Sequence, residues 1–207
     1  MSAAAATAAI RPAQSGDVAT IAALLTEAAA ADPVAAWLVP DPAERQSVFH
    51  ALLAMEIDHA VEWGTVDVLL DLSGIAVWRR HPAPDGALLT DHHLSAFTGR
   101  ALPRFRQLHA VLASYTSAAP HHWLAWLYVT PDSRRQGSAG RLLAHHQHRV
   151  DQLGWPVYTV VTTEAARDFL RTHGYHAGLP LHLPSGPRLW SLTRNGRPAT
   201  ARPAPPG

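Results

Sequence analysis

Residues 122–162 constrain the fold of this chain more than any other stretch. HWLAWLYV (122–129) is apolar and nearly free of charge, as a strand covered on both faces must be, and VYTVVT (157–162) is β-branched. Between them Leu143, His146, Val150 and Leu153 recur at helical spacing until Gly154. The segment therefore reads as one strand–helix–strand unit. Its helix is entered through RRQGSAG (134–140). Backbone N–H groups at a helix start, together with the helix dipole, favour an anion, and arginine can grip phosphate oxygens in pairs. Gly137, Ala139 and Gly140 have little or no side chain to keep a ligand from the backbone. The competing reading of the same residues is a solvated basic loop.

Elsewhere the pattern is alternating. A short strand is expected at 9–12, then a helix with Val18, Ile21, Leu25 and Ala28 inward after a cap at Ser15 or Asp17. A second helix starts at Asp41, with Pro42 at its first position and Glu44 at its third, and is expected to end at Gly64 in a left-handed conformation. Its stripe runs Phe49, Leu52, Glu56, Ala60, Trp63, so a carboxylate interrupts an apolar row. Segments 65–70 and 75–80 form a hairpin around DLSG, followed by a Pro, His and Asp-rich loop and by helical sequence over 91–115 that breaks or restarts at Pro103. A short helix closes at Gly174, and 179–183 with 187–192 form a last hairpin. One domain is expected over 9–195, between disordered tails at 1–8 and 196–207, the second Pro-rich.

Composition removes several chemistries. The 207 residues carry a net charge of +1, which gives no general attraction to nucleic acid. There is no cysteine, and every basic residue among the 17 is arginine, so thiol acyl-enzymes, Schiff bases and a phosphate-loop lysine are excluded. No apolar run approaches the roughly 20 residues of a membrane span, and no basic segment precedes a leader core. A cytoplasmic protein with no membrane partner is expected. The 14 histidines include His145, His146 and His148 on one helix and the neighbours His92 and His93, but no adjacent carboxylate completes a ligand set, and no metal is expected.

VTPDSRRQGSAGRLL (129–143) resembles the acyl-CoA signature of the GCN5-related N-acetyltransferases, the GNAT superfamily. In that family a Val-x-Pro strand end leads to Arg/Gln-x-x-Gly-x-Gly/Ala, matched here by Arg134, Gly137 and Ala139. DFLRTHGY (168–175) is similar to the family's Phe-Tyr-x-x-x-Gly-Phe element. SGIAVW (73–78) and GPRLWSLTR (186–194) are similar to puromycin N-acetyltransferase-like small-molecule acetyltransferases. The resemblance implies an α/β (α+β) fold with a mixed, mostly antiparallel sheet, helices on both faces, and two strands splayed to admit acetyl-CoA. It implies cofactor contacts from Leu127, Tyr128 and Val129 at the strand end, from Arg134, Arg135, Gln136, Gly137, Ser138, Ala139, Gly140 and Arg141 in the loop, and from Phe169. It also implies an N-acetyltransferase acting by direct attack in a ternary complex on a small-molecule amine, an antibiotic or a metabolite, as a monomer or homodimer.

The family pattern breaks at Leu170, where many members place a tyrosine that protonates the leaving thiolate. Three readings follow: another hydroxyl (Tyr128 or Tyr175), solvent, or a fold that has lost acetyl transfer and serves as a CoA-binding or repurposed protein. A peptide N-acetyltransferase is a further alternative. For a general base the candidates are Glu56, a carboxylate on an apolar stripe, and His122, at the start of the strand leading to the loop. Against them stand a slightly rotated helix with Glu56 at its margin or a structural ion pair for Glu56, and an exposed position beside His121 for His122. Trp37, Trp63, Trp78, Trp123, Trp126 and Trp190 are candidates to line an acceptor pocket.

Overall fold

The computed structural model describes residues 9–81, 91–115 and 119–196, with the backbone alone at 91–93. The tail expected at 1–8, all but Gly196 of the tail expected at 196–207, the loop at 82–90 and the side chains of His92 and His93 lie outside the described residues.

The elements run β1 (Ile10–Pro12), α1 (Val18–Ala30), α2 (Pro33–Leu38), α3 (Pro42–Trp63), β2 (Thr65–Leu69), β3 (Gly74–His81), α4 (Asp91–Thr98), α5 (Leu102–Tyr115), β4 (His121–Val129), α6 (Ser138–Leu153), β5 (Val157–Val161), α7 (Glu164–Thr172), β6 (His176–His182) and β7 (Arg188–Arg194). The seven strands form one sheet in the order β1-β2-β3-β4-β5-β7-β6, and every pairing is antiparallel except β4 with β5. Alternation along the strands sorts the core into two layers. Val66, Val68, Ile75 and Val77 face α1 to α5 with Ile21, Leu25, Leu53 and Ile57, while Ala76, Trp78, Leu124 and Leu192 face α6 and α7 with Leu142, Leu143 and Leu170. Among the described residues no helix is long and apolar enough to cross a membrane.

Several local expectations change. The turn before α1 is closed by Asp17, whose Oδ2 accepts from the N–H of Gln14 at 2.8 Å, rather than by a side-chain cap on the helix itself. In α1 it is Ala29 that is buried, one place beyond Ala28. PVAAWL forms α2, capped by Asp32, where too few residues repeat for periodicity to register. Asp41 caps α3 as expected, its Oδ1 accepting from Glu44 N at 2.8 Å. Gly64 ends that helix at φ −112°, outside the left-handed region. Its glycine is needed for space, because a Cβ there would lie 2.9 Å from the carbonyl oxygen of Ala60 and 3.0 Å from that of Trp78. Trp63, expected inward, is 67% exposed.

Candidate active site

Two features open the sheet between β4 and β5. Their parallel ladder consists of His122 with Val157 and Trp123 with Tyr158, and ends there. β4 stays on β3 as far as Val129, and β5 stays on β7 as far as Val161, so the strand ends face one another across a gap. One residue further in, Thr159 Oγ1 donates to the carbonyl of Leu124 at 2.9 Å and closes the vertex. The second feature is a bulge: Trp78 pairs with Leu124 and Val77 with Trp126, which leaves Ala125 extra. It moves Trp126 to the α3 side, while His122 and Leu124 face α6.

A single cavity of about 750 Å³ occupies this gap and continues under α1, α3 and α5. At its α6 end lie Leu127, Tyr128, Val129, Arg134, Ala139, Phe169 and Leu170; at the other lie Phe49, Leu52, Glu56, Arg79, His81, Phe105 and Trp126. The proposed cofactor strand and loop therefore share one space with one of the two base candidates, Glu56.

The loop has the geometry an anion needs. Gly137 stands at the N-cap of α6 with φ +79°, a left-handed conformation that glycine adopts without penalty, and no side chain caps the helix. The first helical bond runs from Arg141 N to Gly137 O at 3.0 Å, so the N–H groups of Ser138, Ala139 and Gly140 precede it. Arg134, Arg135 and Arg141 are exposed around this turn, with Arg135 also left-handed at φ +62°. Arg134 Nε donates to the carbonyl of Val129 at 3.2 Å, tying the loop to the end of β4, and Gln136 Nε2 donates to Asp132 O at 3.1 Å. The two glycines serve different ends. A Cβ on Gly137 would meet nothing within 4 Å, whereas one on Gly140 would strike His173. Such a turn fits the pyrophosphate of a coenzyme A thioester through backbone N–H groups and arginines.

The base candidates part company. Glu56 Oε1 accepts from Arg79 Nη2 in a very short ion pair and from the indole N–H of Trp126 at 3.2 Å. The carboxylate that interrupts the α3 stripe is thus partnered. His122 is 3% exposed, is not among the residues lining the cavity, and lies beneath α6. Its Nδ1 is 3.3 Å from His146 Nε2, and His146 Nδ1 is 3.3 Å from Asp67 Oδ2, with the His146 ring stacked on Trp78 at 4.0 Å between centroids. Burial holds His122 down at about 4, helped by His146 and Arg80, and burial also lowers His146 against the opposing pull of Asp67. Both imidazoles are therefore neutral near pH 7. Neither His122 nor His121, which is 5% exposed, is the surface residue of the alternative reading.

Leu170 is 3% exposed and lines the cavity beside Phe169. Tyr175 is 2% exposed in the α6–α7 layer, where burial pushes its phenol up to about 12, and it does not line the cavity. Tyr128 does, and among the described residues it is the tyrosine that lines it. Of the tryptophans, Trp123 and Trp126 line the cavity, while Trp78 is fully buried under α6. Among the described residues no group of histidine, aspartate and glutamate could hold a metal ion. Arg79 and His81 had no local signal beyond alternation along β3 with Val77.

No family model matches the sequence. Solved structures do match the fold over nearly their whole length. One is described as histone acetyltransferase HPA2 and related acetyltransferase from Corynebacterium glutamicum, with a TM-score of 0.71 at 22% identity over 93% of this chain and 98% of its own. Arylalkylamine N-acetyltransferase 2 from Aedes aegypti gives 0.67 at 12% identity, covering 90% and 98%. An apo agmatine N-acetyltransferase gives 0.66 at 15% identity, covering 90% and 98%. The fold is that of the GNAT acetyltransferases.

Proposed function

We propose that the chain is an N-acetyltransferase that uses acetyl-CoA to acetylate a small-molecule amine, an antibiotic or a metabolite, by direct attack in a ternary complex. The observation that carries this reading is the continuity of one cavity from the glycine–arginine turn at α6, through the β4–β5 gap, to the Glu56–Arg79 wall. Neighbours of the same fold that are agmatine and arylalkylamine N-acetyltransferases support a small amine as acceptor.

The residues then divide the work. Arg134 to Arg141 grip phosphate, Leu127, Tyr128 and Val129 offer strand-edge backbone to the pantetheine, and Phe169 closes the side. When bound, acetyl-CoA supplies a thioester whose C–S bond breaks as the amine nitrogen forms the new N–C bond, the amine giving up a proton and the thiolate taking one. Tyr128 is the phenol on the cavity wall and is assigned the proton for the thiolate. Glu56, with both donors on Oε1, orients the amine. His122 acts through His146, as part of the support beneath α6.

Leu170 favours a second reading, a GNAT-fold protein that binds coenzyme A without transferring acetyl groups. A free-thiol release assay over an amine panel separates the two: transfer gives amine-dependent thiol, and binding alone does not.

A further inference from the structure

We propose that Arg79 sets the acceptor class: by holding Glu56 Oε1 in an ion pair it leaves the described acceptor wall no acid for a second cation beside the reacting amine, so that the site takes a primary monoamine on an apolar body and turns away di- and polyamines. The inference rests on the acetyl-transfer reading above.

A cationic group other than the reacting amine needs a carboxylate when it leaves water. Among the described residues the cavity is lined by two acids, Asp32 and Glu56. Asp32 is spent on structure: its Oδ1 accepts from the N–H groups of Val34 and Ala35 at 2.8 and 3.1 Å, and its Oδ2 accepts from Thr162 Oγ1 at 2.6 Å. Glu56 is bound to Arg79 and Trp126, with side-chain exposures of 10% for Glu56 and 21% for Arg79. Among the described residues Glu56 is the acid facing the acceptor, with Oε1 held by Arg79 and Trp126 and Oε2 left to the reacting amine, so a second ammonium would meet the guanidinium with no carboxylate oxygen to pair with. His81, the next residue of β3 on this face, adds no charge, since burial lowers it to about 4.

Apart from His109 on α5, the rest of this wall is apolar. Phe49, Leu52, Phe105, Leu108, Leu112 and Trp126 line the cavity with the Glu56–Arg79 pair. Such surroundings, with a fixed guanidinium nearby, disfavour an ammonium and so favour the neutral amine that attacks a thioester. For a monoamine this promotes the reaction. For a diamine the distal nitrogen is charged in water and is penalised by the same wall.

The test is thiol release by the full chain with acetyl-CoA, using phenethylamine and hexylamine against putrescine and spermidine, alongside thermal-shift binding of the same amines with CoA present. The wild type is expected to favour the monoamines by about tenfold or more in kcat/KM. Arg79→Gln is expected to move that ratio toward the diamines by about tenfold and to give a diamine-dependent thermal shift that the wild type lacks. Should that variant fail to fold, Arg79→Gln with Glu56→Gln removes both charges and is expected to keep the wild-type preference. Equal or better use of diamines by the wild type overturns the proposal, as does an unchanged ratio in a folded Arg79→Gln, or a double variant that prefers diamines. Release of no thiol with any amine overturns the transfer reading and this inference with it, whereas release with the wrong preference overturns this inference alone.

Discussion

The imidazole of His173 fills the place where a side chain on Gly140 would begin: a Cβ there would lie 2.7 Å from Nε2. The ring cannot easily yield, because its Nδ1 is bonded to the carbonyl of Phe169 at 2.9 Å and its face lies against the Phe169 ring, 4.4 Å between centroids. The C-terminus of α7 thereby sets the first turn of α6.

Gly140→Ala should gain about 0.5–1 kcal/mol of helix propensity and lose about 1–3 kcal/mol by displacing the ring. The expected net is a loss of about 1 kcal/mol, with weaker acetyl-CoA binding. Adding His173→Ala should relieve the clash, so a double-mutant cycle read by thermal unfolding is expected to show favourable coupling. Strict additivity of the two changes would contradict the contact.

Gly137→Ala meets no atom within 4 Å, yet should cost about 1–2 kcal/mol because φ is +79°. Calorimetric unfolding of this variant separates conformational strain from crowding, and Gly137→Asn, which tolerates the left-handed region, should recover part of the loss.

Acid should destabilise the fold before carboxylates titrate. His122 falls from its ordinary 6.5 to about 4, His81 likewise, and His146 is lowered too. The unfolded chain therefore binds protons that the folded chain refuses. This stability is present in full above about pH 6.5 and is lost as pH falls toward about 4. For buried His122 the limit is about 3 kcal/mol. Urea unfolding at about pH 7.5 and about pH 5 should show the loss, and His122→Gln should reduce it; a pH-independent midpoint would contradict the neutral histidines.

Tyr128→Phe is expected to lower kcat by about 100-fold while acetyl-CoA binding is unchanged. An unchanged kcat would instead hand the thiolate proton to solvent. Glu56→Gln strands the Arg79 guanidinium, which is 21% exposed, and should cost about 2 kcal/mol by denaturant unfolding.

Much of this was legible in the chain because local chemistry decided it. Asp41, Pro42 and Glu44 mark the start of α3 through capping, and the strand–loop–helix over β4 and α6 follows from hydrophobic period and glycine. What was not legible depends on distant partners. The stripe anomaly at Glu56 announced an inward carboxylate, but its guanidinium comes from β3 and its indole from a strand 70 residues away. The bulge at Ala125, which puts Trp126 beside Glu56, has no sequence mark. Gly64 and Gly140 announce themselves as glycines, but only the packed neighbours Trp78 and His173 show why each is needed.

The most direct test of the central claim is isothermal titration of the full chain with acetyl-CoA. The proposed cofactor site at the β4–β5 gap and the α6 turn predicts saturable binding at one site per chain, weakened by about tenfold in Arg134→Ala, which removes a guanidinium proposed to hold phosphate. Absence of binding heat from both acetyl-CoA and CoA at about millimolar concentration would contradict it.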